Sequence, residues 1–257
     1  MSQLLRRFGT QRRRVVSDWR ILIEYRRIAD SEASPFPNER DVSRVFAEFR
    51  ADGSLRSVEG VAGVYLLDVP FAEVVPATEE QIVQEADPTA VFSHLTALVH
   101  HALTDQLPNL IQVTHYNPPD ANRIPLGTTP EEWAGLPQPT VRKPKHVRGV
   151  PVRWFATKGD WDFGHEVNYS QGLPVYITDR ERTLIDILRT PEGVGGMSIV
   201  VRAWKAAKPL LNLDRMIHHV ERFGQPILRQ RVGFCLEALG FHHPALEDWQ
   251  RNLVRGG

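Results

Sequence analysis

Between Asn38 and Asp68 the spacing of apolar residues changes from a helical period to a strand period within a few positions. Val42, Val45, Phe46 and Phe49 recur at i, i+3, i+4 and i+7, one stripe of an amphipathic helix docked on a core. Asn38 is placed to cap its first turn, and Asp52-Gly53 ends it with a residue free to adopt a positive φ. Leu55 to Val58 and Val61 to Leu67 then read as two strands around Glu59-Gly60, a hairpin signal. A helix, a tight turn and a two-stranded wing in immediate succession form the closing half of a winged helix-turn-helix. The polar face of the helix offers Arg40, Ser43, Arg44 and Arg50, with Arg56 on the first wing strand, side chains that reach base edges or phosphate oxygens.

Beyond the wing the composition shifts near Pro70 to Thr78, which sets the expected domain boundary: residues 1–76 as a DNA-binding domain and 77–257 as a larger mixed domain. In the second part the pattern predicts a helix over Pro88 to Leu103 opened by Asp87, and a strand over Leu110 to Tyr116. A proline-rich loop follows from Asn117 to Pro144. Strands are expected at Val150 to Thr157, His165 to Ser170 and Pro174 to Thr178, and helices near 179–189, 196–207, 212–222 and 226–239. Helix and strands first with a helical run last imply an α+β fold rather than alternating βαβ units.

Charge changes this picture at the N-terminus. Residues 1 to 29 carry eight arginines against Asp18 and Glu24 in a chain whose net charge is zero. Beside a helix and wing, such a block is the electrostatic footprint expected of a duplex binder, with Arg12, Arg13 and Arg14 as candidate phosphate contacts. Residues 71 to 140 hold nine acidic side chains and only Arg123 on the basic side, so that segment is unsuited to nucleic acid. Its carboxylates could face a basic partner or the protein's own arginine block. No apolar run reaches the ~18 residues of a membrane span, and the N-terminus lacks the apolar core of a secretory signal. A cytoplasmic protein without membrane contact is expected. The one cysteine, Cys235, reads as a packed thiol on a helix.

The candidates for chemistry are weak. His94 and His101 share a helical face, but at 1.5 Å per residue they stand ~10 Å apart, too far for one zinc ion. Asp160 and Asp162, in Gly159-Asp160-Trp161-Asp162-Phe163, have the alternation that nucleotidyltransferases use to hold divalent cations. The Gly-Ser turn and helix that such chemistry needs upstream are missing, and a hairpin turn accounts for both residues. No Glu-x-Lys or Asp-x-Lys occurs for nuclease chemistry, and Gly193, Gly195 and Gly196 lack the partner of a phosphate loop; they end one helix and start another. No metal or cofactor is expected.

In Thr178-Asp179-Arg180-Glu181-Arg182-Thr183-Leu184-Ile185-Asp186, Thr178 and Glu181 have the spacing of a capping box and Leu184 and Ile185 face the core. Arg180, Arg182 and Asp186 are the surplus, available to a partner. With the GVAGVYLL wing, FSHLTALVHHALTDQLP at 92–108, PVYITDRERTLIDILRTPEGVGG at 174–196 and LRQRVGFCLEALG at 228–240, the chain resembles the AbiEi-type antitoxins of bacterial abortive-infection toxin–antitoxin pairs. The resemblance implies a winged-helix repressor of its own operon, bound to double-stranded DNA, joined to a C-terminal antitoxin domain that opposes a nucleotidyltransferase-like toxin. Two other readings stay open: a metal-dependent nucleotidyltransferase or nuclease using Asp160 and Asp162, and an interaction module whose winged helix contacts protein.

Overall fold

The computed structural model describes residues 2–32, 39–68, 76–118 and 123–251. In chain order the elements are α1 (Ser2–Thr10), β1 (Val15–Ser17), α2 (Asp18–Ser31), α3 (Glu39–Ala51), β2 (Leu55–Ser57), β3 (Val64–Leu67), α4 (Glu79–Ala86), β4 (Val91–Phe92), α5 (His94–His100) and β5 (Ile111–Asn117). They continue with β6 (His146–Val147), β7 (Val150–Lys158), β8 (His165–Ser170), β9 (Leu173–Thr178), α6 (Arg180–Arg189), α7 (Met197–Ala207), α8 (Leu213–Phe223), α9 (Pro226–Ala238) and α10 (Pro244–Arg251). The fold is therefore mixed α and β, in keeping with the expected α+β class. One sheet has the order β1-β3-β2 and the other β6-β7-β5-β4-β9-β8. No helix among the described residues is long and apolar enough to cross a membrane.

The chain divides into two compact units. The first comprises residues 1–90, 121–153 and 167–176, and the second 91–120, 154–166 and 177–257. The boundary expected at 76/77 thus falls inside the first unit, whose sequence is discontinuous.

In the first unit, β3 pairs antiparallel with both neighbours, Val16 opposite Tyr65 and Arg56 opposite Leu66. Leu4 and Phe8 of α1, Ile21 and Ile28 of α2, and Val45 and Phe49 of α3 close a core over this sheet. Ser17 caps α2 by accepting from the Arg20 amide. Gly63, in the hairpin between β2 and β3, has φ +67°, and a Cβ there would lie 2.6 Å from both the Arg142 guanidinium and an Asp18 carboxylate oxygen. Glycine at this positive φ leaves room for that ion pair, at 3.0 Å, beside the hairpin.

In the second unit, β4 lies between β5, antiparallel with Val91 opposite Thr114, and β9, parallel with Phe92 opposite Ile177. The helices from α6 onward gather around Leu184, Ile185, Val200, Trp204, Met216 and Val232. The helix expected over Pro88 to Leu103 is shorter than its pattern. Asp87 accepts from the Thr89 amide at 2.9 Å and its hydroxyl at 2.7 Å, making a turn, and Val91 and Phe92 enter the sheet before α5 begins. Strands β5, β7, β8 and β9 and helices α6 to α9 fall close to their expected positions. Asp160 and Asp162 do not form a hairpin turn. They lie on and just after a 3-10 turn, Gly159–Trp161, between strands that are not neighbours in the sheet.

Candidate nucleic-acid interface

Helix α3 follows its pattern at the described side chains, and that of Val42 lies outside them. Val45 and Phe49 are buried, Phe46 packs at the core margin, and Ser43, Arg44 and Arg50 are exposed. Asn38 lies outside the described residues, as does the side chain of Arg40. The helix stops at Asp52-Gly53, where Gly53 takes φ +78° and the Asp52 carboxylate accepts the Ser54 amide at 2.9 Å. Arg50 donates to the Tyr65 hydroxyl at 3.1 Å, with its guanidinium 5.4 Å from that ring, which ties the end of α3 to β3. Arg56 is exposed on β2. Ser43, Arg44, Arg50 and Arg56 are thus exposed polar side chains on one short segment of chain. Arg44 also has a partner within the protein.

The arginine block behaves differently. Arg13 is buried, 3.1 Å from Glu85, and burial together with the neighbouring Arg20 pushes its guanidinium down to about 10. Arg20 is buried on the same carboxylate at 2.5 Å. Arg7 and Arg27 share Glu24, and Arg27 also pairs with Glu132 at 2.5 Å. Arg26 donates to the carbonyls of Glu132 and Ala134. The expectation that Arg13 contacts phosphate is therefore corrected: its charge is answered inside the fold and has no route to a ligand. Arg14 is half-buried with a partner in the chain, while Arg12 is exposed after α1.

Glu85 and Glu132 come from the acidic middle of the sequence, which meets the protein's own arginines. The Pro-rich loop gains its position the same way. Arg20 donates to the Leu126 carbonyl, Arg27 to that of Gly127, and Trp133 packs on Trp19 at 6.0 Å between ring centroids. Sequence reasoning raised the meeting of the two segments but not the individual partners, because contacts between residues 65 to 108 positions apart leave no local spacing. The opposite net charges of the two segments were the one available signal.

The second unit removes another expected surface. Helix α6 begins one residue later than a Thr178–Glu181 box would place it, and Asp179 caps it by accepting the Arg182 amide at 2.7 Å. The Thr178 hydroxyl instead pairs with that of Thr183 at 2.7 Å, and the Glu181 carboxylate accepts the Asn212 amide at 2.8 Å. Arg182 is only 1% exposed. Its Nε donates to Asp186 at 3.0 Å, its Nη1 donates to the carbonyls of Trp161 and Phe163 at 2.8 Å, and its guanidinium lies 4.5 Å from the Phe223 ring. Asp186 is buried in the same pair. Arg180 is half-buried and donates to the Leu210 carbonyl at 2.8 Å. The assignment of Arg182 and Asp186 to a partner surface is corrected, because a desolvated pair satisfied on every side positions α6 and presents nothing outward.

Burial alone would raise the Asp179 carboxyl, but the hydrogen bond and charge of His219, 2.8 Å away, hold it below its ordinary value of 3.8. Gly164 makes this junction possible: at φ +66°, a Cβ there would sit 3.0 Å from both Arg182 Cβ and His219 Nε2. Other polar candidates are likewise engaged internally. His94 is buried, stacks on Phe155 at 3.8 Å and bonds the Ser93 and Thr190 hydroxyls at 2.9 Å. His101 Nε2 bonds the Thr178 carbonyl. Asp162 pairs with His165 at 3.0 Å, while Asp160 is exposed. Among the described residues no group of three His, Cys, Asp or Glu side chains is placed to hold a metal ion. Gly195 and Gly196, at φ +97° and +100°, end a 3-10 turn and start α7, the role their spacing predicts.

No family model and no curated protein matches the chain. Among solved structures it is similar to the crystal structure of the RV2827C protein from Mycobacterium tuberculosis, with 16% identity and a TM-score of 0.53 over 98% of this chain and 80% of that one. At that identity the likeness is one of fold, and it extends over almost the whole chain.

Proposed function

We propose that this chain is a DNA-binding repressor of its own operon and the antitoxin of a bacterial toxin–antitoxin pair, with no catalytic activity of its own. The observation that carries the DNA-binding half is the segment from α3 to β3. A helix anchored by Val45 and Phe49 exposes Ser43, Arg44 and Arg50, and an antiparallel hairpin bearing Arg56 follows at once. The order α1, β1, α2, α3, β2, β3 with sheet order β1-β3-β2 supports reading this region as a winged helix. The arginine block no longer argues for DNA, so affinity in this reading rests on α3, Arg56 and exposed Arg12. The antitoxin half, with a nucleotidyltransferase-like toxin as its counterpart, rests on the resemblance to AbiEi-type antitoxins.

The test is fluorescence anisotropy with duplex from upstream of the gene against a random duplex, titrated over salt. Preference for the upstream DNA, with log K falling by about 0.9 per phosphate contact against log salt, is expected. Equal affinity for both duplexes, or binding insensitive to salt, refutes repression through this surface. Co-expression with the neighbouring toxin gene tests the antitoxin half by growth.

A further inference from the structure

In the helical part of the second unit, α6 packs against both α7 and α9, and the apolar residues of those two helices are not all used by the core. On α7, Val200 and Trp204 are buried, whereas Met197 and Val201, one turn apart, remain 49% and 44% exposed. On α9, Val232 and Leu236 are buried, whereas Ile227 and Phe234, two turns apart, are 53% and 72% exposed. These four side chains line an open groove of about 730 Å³ that Leu188 of α6 also lines. Single exposed apolar residues need no explanation, but four gathered in one concavity mark an interaction surface.

Two cations, Arg189 and Arg231, line the groove. Arg231 is exposed on the α9 row between Ile227 and Phe234, and Lys205 continues the Met197–Val201 row of α7. At the groove's edge Arg189 shares the Asp186 carboxylate with Arg182, so two guanidiniums answer one acid. Among the lining residues Glu192 is the one carboxylate.

We propose that this groove docks an amphipathic helix of a protein partner whose apolar stripe is flanked by aspartate or glutamate. Two helical ridges over a shared floor accept a third helix, and exposed Arg231 and Lys205 select acidic flanks. A second copy of the chain would bring cation against cation at the same place, which electrostatics opposes. The inference is independent of DNA binding, so its failure leaves the repressor reading intact and the reverse also holds.

The experiment measures anisotropy of two labelled synthetic helices of about 18 residues with the full chain. Both carry the same leucine stripe, one flanked by glutamate and the other by lysine. The glutamate peptide should bind at least about tenfold more tightly than the lysine peptide. Phe234→Asp and Val201→Asp should each abolish binding, and Arg231→Glu should invert the preference. All three positions are exposed, and unchanged urea unfolding curves confirm that the variants fold. Equal binding of the two peptides, binding indifferent to Phe234→Asp, or no binding of the glutamate peptide up to about 1 mM overturns the proposal. So does a dimer in sedimentation equilibrium that Phe234→Asp dissociates, because a second copy would then cover the groove.

Discussion

Replacing Glu85 by alanine should come close to unfolding the first unit. The Glu85 carboxylate accepts from Arg13 Nη1 at 3.1 Å, Arg20 Nε at 2.5 Å, and the Ser17 amide and hydroxyl at 3.1 and 2.7 Å. Arg13 and Arg20 are 7% and 4% exposed, so water cannot take over these bonds without opening the structure. Breaking one buried ion pair costs about 3–5 kcal/mol. A second stranded group adds about 1–3 kcal/mol, so a total of roughly 4–6 kcal/mol is expected once partial relaxation is allowed for. That is a large share of the ~5–15 kcal/mol that stabilises a typical domain. Urea unfolding followed by tryptophan fluorescence is the assay, since Trp19 and Trp133 pack together in this unit. The melting temperature should fall by about 10–20 °C. Glu85→Gln, which keeps an acceptor without the charge, should lose less. The triple replacement Arg13→Met, Arg20→Met and Glu85→Leu should recover much of the loss, because an apolar replacement leaves no buried charge behind. A loss under about 1 kcal/mol for Glu85→Ala would show that the two guanidiniums are effectively solvated and would refute the reasoning.

Four further outcomes are expected. Arg182→Ala and Asp186→Ala should each destabilise the second unit by about 3–5 kcal/mol in urea melts, since each strands a buried charge, and wild-type stability in both would return these residues to a surface role. Asp179, held below its ordinary value by His219, contributes stability that is full above pH 3.8 and is lost as pH falls through its lowered folded value; Asp179→Asn should flatten acid unfolding in that range, and an unaltered acid curve contradicts the coupling. Arg44→Ala and Arg56→Ala should weaken upstream DNA by about 1–3 kcal/mol if they read bases and affect random duplex much less, whereas Arg13→Ala should show its main loss in thermal stability. A fragment beginning at residue 71 should fail to fold over residues 77–90 of the first unit, because Glu85 loses Arg13, Arg20 and Ser17; a native-like circular dichroism spectrum with full protection of α4 amides would contradict this.

Local signals were legible wherever one element's own residues decide its form. The Val45–Phe49 stripe, the Asp52-Gly53 stop, strands β5 and β7 to β9, and helices α6 to α9 follow from periodicity and from breakers, which act over a few residues. The polar face of α3 was legible for the same reason, since fixing the buried stripe fixes what lies opposite. The tertiary structure decided what charge and caps do. An arginine-rich sequence specifies a positive charge but not its partner: Glu85 and Glu132 reach the block from far along the chain, and draw Arg13, Arg20 and Arg27 of it into an internal network, while Arg12 stays exposed. Arg182 and Asp186 looked like polar surplus on α6 because periodicity assigns a helix one core, whereas Trp161, Phe163 and Phe223 enclose the other side. Likewise, Val91 and Phe92 carry a helical pattern, yet β4 lies between β5 and β9 and gives both strands backbone partners that a helix there would leave unmatched. Sequence thus set the local conformations and the sign of each charge, and long-range packing set which of those charges meets solvent.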